Sequence, residues 1–506
     1  MARADDRRAN RWALAVALLL LLWATRLPAL DAFPLHVDEG IYLNRALQVW
    51  NLHPFWEITD GRFINHWPIA LFYPQNAPVF IARVSTPLFA VLGASAGFAL
   101  LRRMFGLKAA VLGVVLWIAS PFAFFFERTA LCDSQPGALV VATLWAGVGL
   151  AQRGRVRDAL LTGLTMTAAI LYKFTAAPFL AMVVLVVMLV GGVPWRRRLT
   201  NLAIVGALLA AGFAAPLAYM ALRGRSLAYL FGWVGVRSGG PTLLDQFASN
   251  VARFCDLLWT FGTPQWAALM LVGLALLATR RIGLKLVLAS AIPFLLMLLF
   301  TRELFSRHYL VMLPPALTLA GAGLGVAIRA FVRSSRAGWV LTGTLAFLLG
   351  TALAPFAVAA YRNPGNLPLP PPVWDEYVAT HSAGFGLREA VEDFPKTIVP
   401  RDAPIVASMF PHSCQRANFY DEHGFGMRCG DAPGLVLIDA ALVEHDVVYV
   451  LVEAPPVGLD VRALATPATR VAAYPRPGET EETASVVLWR LERPEGGRTA
   501  GDRDHP

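Results

Sequence analysis

Charge is scarce in this chain. Asp, Glu, Lys and Arg make up 15% of its 506 residues, against roughly a quarter in soluble globular proteins. That shortage excludes an ordinary soluble domain. With 56% hydrophobic residues gathered in long runs, it points to an integral membrane protein. Nucleic-acid motifs are missing, as is any basic stripe interleaved with aromatics. The formal net charge of +10 therefore does not speak for a nucleic-acid partner. Cysteine is rare: Cys132, Cys255, Cys414 and Cys429, with no CxxC and no Cys/His spacing that suits zinc. No repeat of solenoid period is visible. The first apolar run is longer than a signal-peptide core and has no small-residue cleavage site behind it, so it is read as an uncleaved helix.

Apolar runs occupy residues 12–30, 78–101, 109–126, 135–151, 159–172, 174–193, 199–222, 263–279, 282–300, 308–328 and 338–361. A spanning helix needs about 20 residues, and the shortest candidates are 135–151 and 159–172. Basic clusters stand at Arg102/Arg103/Lys108, Arg153/Arg155/Arg157, Arg196/Arg197/Arg198, Arg280/Arg281/Lys285 and Arg329/Arg333/Arg336. Together with Arg3, Arg7, Arg8 and Arg11 they fall in every second connection. By the positive-inside rule this alternation predicts about eleven transmembrane helices, the N-terminus cytoplasmic and the C-terminus outside. It also splits 159–193 at Lys173, because both ends of that segment are strongly basic.

The expected architecture is an α-helical polytopic membrane protein with a small C-terminal α/β domain on the outer side. Residues 1–361 form the membrane part, with long outer connections at 31–76 and 223–262. The first of these carries Trp50, Trp56, Trp67 and Tyr73, rings that favour a membrane interface, so short amphipathic helices are expected there. Residues 362–374 are a Pro-rich linker. Residues 375–493 form the outer domain, and 494–506 are too polar to fold. In the domain, 385–394 reads as a helix capped by Ser382, with Glu389 and Glu392 on its polar side. The runs 405–408, 435–438, 447–452 and 486–488 read as strands. In this topology all four cysteines face the side that permits disulfides. Cys414 and Cys429 share one domain and are expected to be bridged. Cys132 and Cys255 pair only if their loops meet, and otherwise stay as buried thiols.

Ionisable residues gather at the outer ends of the helices. His36, Asp38 and Glu39 follow the first run. Glu127, Arg128 and Asp133 stand between the third and fourth. Lys173 stands between the fifth and sixth, Arg302, Glu303 and Arg307 precede the tenth, and His308 and Tyr309 open it. Arg62, Asn65 and His66 lie in the first outer connection. Each has a bland reading. Asp38–Glu39 alone is a solvated loop end, Arg128 an ion-pair partner of Glu127, and Lys173 a snorkelling lysine. Arg302 with Glu303 is a local pair, and His412, His423 and His445 are surface residues. Shared sidedness argues for one outward cavity instead, acidic on one wall and basic on the other. A carboxylate there can serve as general base to an acceptor hydroxyl. Arg and Lys can hold a leaving phosphate and stabilise the charge it gains. A transporter or flippase of a lipid-linked or anionic substrate is the alternative. It predicts charges and broken helices near the bilayer midplane in paired halves, a pattern not evident here.

In order and sidedness these motifs resemble the polytopic glycosyltransferases of the GT-C fold, the bacterial relatives of dolichyl-phosphate-mannose protein mannosyltransferases and of the lipid A aminoarabinose transferase. The resemblance covers residues 11–361 and extends weakly into 375–394. It rests on Asp38-Glu39 with Tyr42, on the Glu127-Arg128-Thr129-Ala130-Leu131-Cys132-Asp133 stretch, on Lys173, and on Arg302 to Tyr309 with Pro314-Pro315 following. Tyr377 and the 382–386 stretch also match. The resemblance implies a polyprenyl-phosphate-linked sugar donor, a glycan, lipid or protein acceptor at the outer face of a bacterial plasma membrane, and no metal or other cofactor. By position, Asp38 matches the family's base, Glu39 a helper and Asp133 the second acid. Lys173, Arg62, Arg302 and Arg307 match phosphate contacts, with Arg128, His308 and Tyr309 as further binding residues. The Asp60-to-Trp67 stretch departs from the family by lacking His-Pro-Pro.

Overall fold

The structure, a computed structural model, describes residues 2–55, 61–224, 226, 242–302, 304–398, 400–430, 434–454, 459–461, 464 and 466–493, with side chains from residue 12 onward. Trp56, Asp60, Glu303, most of the connection before Thr242, the tail 494–506, and the side chains of Arg3, Arg7, Arg8 and Arg11 lie outside the described residues. The chain divides into two compact units. One comprises residues 1–32, 45–76 and 80–370, and the other 33–44, 77–79 and 371–506. The boundary near Pro370 falls within the Pro-rich stretch. Residues 33–44 of the connection after the first helix belong with the C-terminal residues, an association that no sequence feature announces.

The first unit is helical. In chain order the α-helices are α1 (Ala2–Arg26), α2 (Val37–Trp50), α3 (Pro78–Phe105), α4 (Leu107–Ile118), α5 (Pro121–Phe126), α6 (Ser134–Arg153), α7 (Val156–Tyr172), α8 (Leu180–Leu189), α9 (Trp195–Leu222), α10 (Leu243–Thr260), α11 (Pro264–Ala278), α12 (Arg281–Phe300), α13 (Leu313–Phe331) and α14 (Ser335–Arg362). Local chemistry sets the breaks. Gly106, with φ 86°, separates α3 from α4, and Gly154, with φ 63°, closes α6. Such backbone suits glycine, which has no Cβ to clash. Ser120 caps α5 with Pro121 at its first position.

Among the described residues, α3, α6, α9, α12, α13 and α14 are long and apolar enough to cross a membrane. The bent pair α10–α11, turning through 119°, adds a seventh if it counts as one span. Each of the apolar runs contains helix, but several contain only short pieces: Leu107–Ile118 is 12 residues and Leu180–Leu189 is 10. At 1.5 Å per residue such pieces reach well under the ~30 Å of a hydrocarbon core. The chain is a multi-pass membrane protein. Helix α10 was not expected from the sequence, although Thr242 and Asp245 form a reciprocal capping box at its start. Helix α13 packs on α4 and α11 through small residues, as is usual where helices approach closely in a membrane. A Cβ on Gly323 would lie 1.7 Å from the Gly273 carbonyl oxygen.

The second unit is α/β, and four short helices and a sheet carry it. Its helices are α15 (Pro371–Trp374), α16 (Leu387–Thr397), α17 (Pro411–Ala417) and α18 (Leu435–Glu444). Its strands are β1 (Ile405–Ser408), β2 (Val447–Glu453), β3 (Ala468–Tyr474) and β4 (Val486–Glu492). The order is β1-β2-β4-β3, with β1 parallel to β2 and the other pairs antiparallel. Val406, Val448, Val450, Val452 and Leu491 of the sheet bury against Ile438, Ala441 and Leu442 of α18. This corrects the strand expected at 435–438. A four-residue apolar run cannot separate strand from helix, and here burial at 438, 441 and 442 follows the helical period. Strand β3 was missed because it is an edge strand, half-exposed and rich in alanine, which is a poor strand former. Helix α16 is capped at Gly386 rather than Ser382: the Gly386 N–H donates to Glu389 Oε2 at 2.6 Å.

Candidate active site

Lys173 is where the helical path breaks. Its backbone is extended, with φ −156° and ψ 128°, between α7 and a 3-10 turn over Phe174–Phe179. An extended residue frees neighbouring backbone groups, and residues 61–64 take them up. Phe63 and Ile64 N–H groups donate to the Leu171 carbonyl at 2.8 and 3.2 Å, and Phe174 N–H donates to the Gly61 carbonyl at 3.1 Å. Arg62 is thereby fastened beside Lys173.

Asp133 reaches the same place from the turn before α6. Thr86 of α3 donates to the Thr129 carbonyl at 2.8 Å and accepts from Gln135 Nε2 at 2.7 Å, which fixes the 129–135 turn. Lys173 Nζ donates to Asp133 Oδ1. Arg307 Nε lies 3.7 Å from Asp133 Oδ2. Arg307 and His308 sit on a 3-10 turn, Ser306–Val311, packed on α6. Asp133, Lys173, Arg307 and His308 are all buried. His308 Nδ1 accepts from the Phe305 N–H at 3.3 Å, so a neutral ring carries its proton on Nε2. Burial, and then the cations Lys173, Arg307 and Arg62, push the His308 imidazole well below its ordinary value. Lys173 and Arg307 thus converge on one buried carboxylate, and Arg62 lies near enough for its charge to act on His308. A cationic group of this kind can hold an anion.

Apolar grooves open beside these residues. One, of about 490 Å³, is lined by Phe55, Ile64, Trp67, Thr167, Leu171 and Pro216 among others. A second, of about 270 Å³, is lined by Ile64, Trp67, Leu71, Phe89 and Tyr172 among others. The stretch bearing Arg62 and the helix end bearing Lys173 therefore form both a cationic cluster and the walls of the grooves.

The other predicted residues of this unit sit elsewhere. Glu127 pairs with Arg26 of α1 at 2.9 Å and accepts from Trp117 Nε1 at 2.5 Å. Arg128 does not pair with Glu127 in the way the bland reading supposes. Its guanidinium donates to the Arg26 and Ala29 carbonyls, both at 2.8 Å, and lies over the Tyr361 ring. It finishes the carbonyl end of α1, a position that favours a cation. Tyr309 donates to the Asn250 carbonyl of α10 at 2.9 Å and stacks on Phe254. Arg302 is exposed. His66 bonds the Pro54 carbonyl through Nε2 at 2.9 Å.

The acidic pair belongs to the second unit and starts α2. Its charges favour that helix terminus through the dipole. Glu39 is buried, and its Oε2 accepts from the His36 N–H at 2.8 Å. Asp38 is partly exposed, and its N–H donates to His36 Nδ1 at 3.2 Å. The two carboxylates differ accordingly: Glu39 is spent on the turn, while Asp38 has water access.

A family model for dolichyl-phosphate-mannose-protein mannosyltransferases matches residues 64–219. No curated protein sequence matches the chain. Among solved structures, apo ArnT from Cupriavidus metallidurans is similar with a TM-score of 0.62 at 15% identity, over 96% of this chain and 98% of that one. The same protein bound to undecaprenyl phosphate aligns with a TM-score of 0.62 at 16% identity, over 94% of this chain and 97% of that one. The fold is that of the GT-C glycosyltransferases. At such identities the likeness is one of fold, and residue roles have to come from the geometry above.

Within this GT-C chain, sequence reasoning found Asp133, Lys173, Arg307 and His308, which the structure brings together, and Arg62 beside them. It overlooked a set around the acidic pair. His36 stacks on Tyr377 with ring centroids 4.9 Å apart, and Phe33 meets Phe385 edge-on at 5.4 Å. The Leu35 N–H donates to the Tyr420 hydroxyl at 2.5 Å. Tyr377 and 382–386 had been marked through the resemblance. Arg416 and Tyr420 carried no signal beyond their closeness to Cys414. Cys414 and Cys429 are bridged, with Cα atoms 5.7 Å apart. Cys132 is buried and Cys255 exposed, and they are not bridged to each other.

Proposed function

We propose that this chain transfers a sugar from a polyprenyl-phosphate donor to a hydroxyl acceptor at the outer face of a bacterial plasma membrane. The observation that carries this reading is the buried group of Lys173 and Arg307 on Asp133, with the Arg62 stretch bonded alongside and apolar grooves beside it. A lipid phosphate offers an anion to the first and an acyl-like tail to the second. The undecaprenyl phosphate bound by structurally similar ArnT supports the donor class.

In the reaction, Asp38 takes the proton of the acceptor hydroxyl. The acceptor oxygen forms a bond to the anomeric carbon as the bond from that carbon to the phosphate oxygen breaks. The electron pair leaves with the polyprenyl phosphate, which gains one negative charge. Lys173, Arg307 and Arg62 stabilise that charge in a dry site, where such contacts count most. Asp133 holds Lys173 and Arg307 in register. Glu39 orients the turn, and Arg128 and Tyr309 support the scaffold. The basic alternation and the Cys414–Cys429 bridge support an outer C-terminal domain, a cytoplasmic N-terminus and about eleven crossings.

The test is transfer by purified protein from a panel of undecaprenyl-phosphate-linked sugars to glycan, lipid A and protein acceptors. Transfer by the wild-type chain, lost in Asp38→Asn, is the expected result. Undiminished transfer by Asp38→Asn removes the base assignment. No transfer by wild type from any lipid-linked sugar, with movement of that lipid between leaflets, moves the chain to the transporter class.

A further inference from the structure

We infer that Arg416 is the positioning residue of the turn that carries Asp38. The second unit holds an isolated ionic group that the proposed reaction does not use. Arg416 of α17, Glu453 of β2 and Arg476 are all buried. Glu453 Oε1 lies 2.9 Å from Arg476 and 3.7 Å from Arg416. Burying three charges costs several kcal/mol per ion unless other bonds offset it, so their use is informative. Arg416 spends its donors on backbone that flanks Asp38. Its NH1 donates to the Leu35 carbonyl at 3.1 Å and to the Ser382 carbonyl at 2.7 Å, and its NH2 donates to the His381 carbonyl at 2.9 Å.

Two backbone stretches are thus joined by one guanidinium, and they also bond each other: the Val37 N–H donates to the Ser382 carbonyl at 3.0 Å. Gly40 permits the approach. A Cβ there would stand 2.7 Å from Arg416 Cβ, so the start of α2 rests directly on the arginine stem. Glu39 adds its field to that of Arg416. Tyr420, four residues on, accepts from the Leu35 N–H. Helix α17 itself is anchored by the Cys414–Cys429 bridge, two residues before Arg416. Residues 35–40 are therefore held by one short, cross-linked helix and the 3-10 turn that follows it, Asn418–Tyr420, with Glu453 and Arg476 fixing the arginine from behind. Lysine cannot replace this fork, because an ammonium is a point charge without paired planar donors.

This inference rests on the reading of Asp38 as the base, and two readouts keep the two apart. The first is hydrogen exchange of the full-length protein in detergent, followed over residues 33–40 and over β2. The second is kcat and donor KM with the undecaprenyl-phosphate sugar that wild type uses. Arg416→Lys is expected to speed exchange over 33–40 by at least about tenfold with β2 unchanged. It should lower kcat by about a hundredfold, the scale of a misplacement near 1 Å, with donor KM within about twofold. Tyr420→Phe removes one hydroxyl and should give the same pattern at about threefold, which covers the case in which Arg416→Lys does not fold. Val450→Ala, a core truncation of β2, should lower the melting midpoint with kcat unchanged. Wild-type exchange over 33–40 in Arg416→Lys or, failing its folding, in Tyr420→Phe overturns the inference. So does faster exchange with kcat intact. If Asp38→Asn retains transfer, the base reading fails while the exchange result still decides whether Arg416 holds the turn.

Discussion

Two buried ionic clusters, one in each unit, use the same ingredients for different ends. Around Asp133, Lys173 and Arg307 meet one carboxylate. Around Glu453, two arginines meet one carboxylate, but Arg416 also reaches three backbone carbonyls, and Arg476 reaches the Ala379 carbonyl at 3.5 Å. The second cluster distributes its excess charge into fixed dipoles of the fold. The first stands beside apolar grooves. Each also depresses a histidine. His308 lies by the first, and His381 by the second, lowered by burial ahead of the opposing pull of Glu453 and the push of the two arginines. On the proposed function, what separates a binding cluster from a scaffolding one is whether it adjoins a groove or is tied to backbone carbonyls, and not the presence of buried ions.

That comparison can be broken by substitution. Glu453→Gln strands two buried arginines and should cost the C-terminal domain about 3–5 kcal/mol, read as a fall in its unfolding midpoint. A midpoint near wild type would mean that the carbonyls alone suffice. Lys173→Gln should lower transfer about 10²–10³-fold, the usual loss on removing one contact to developing charge, with a midpoint close to wild type. The reverse pattern, a large midpoint loss and small rate loss, would make the Asp133 cluster scaffolding as well.

His308 gives a pH test with a definite sign. Its folded value is depressed, so the fold prefers the neutral ring. Its stabilisation is present above the unfolded value of about 6.5 and is lost as pH falls from there toward the folded value. The wild-type midpoint should therefore drop more steeply than that of His308→Gln between pH 7.5 and pH 5. Parallel slopes would show that the ring is not held neutral. The smallest effect belongs to exposed Arg302. Arg302→Ala should leave transfer within about twofold, as expected for an exposed charge, and a hundredfold loss would return it to the phosphate contacts.

Much of the membrane unit was legible because lipid imposes long apolar runs. The break at Lys173 was readable because both ends of 159–193 are strongly basic. The short helices were not. Whether 109–126 makes one span or the pair α4 and α5 depends on Ser120 and Pro121 within an apolar run, and hydropathy averages over them. Helix α18 shows the limit in the C-terminal domain, where four apolar residues fit a strand as well as a helix. Arg416 shows a deeper one. Its partners Leu35, Ser382 and Glu453 are distant in sequence, and an arginine among soluble residues gives no hint that it is buried. Arg128 shows the converse, since its neighbour Glu127 suggested a pair that tertiary structure redirected to Arg26.

The central claim is that the Asp133 cluster receives a lipid phosphate. The most direct measurement is a titration of undecaprenyl phosphate into the purified wild-type chain and into Lys173→Gln, with undecaprenol as the uncharged control. Saturable binding by wild type, weakened about a hundredfold in the variant and absent for undecaprenol, is the predicted result. Equal binding of undecaprenyl phosphate by both proteins, or of undecaprenol by wild type, would contradict it.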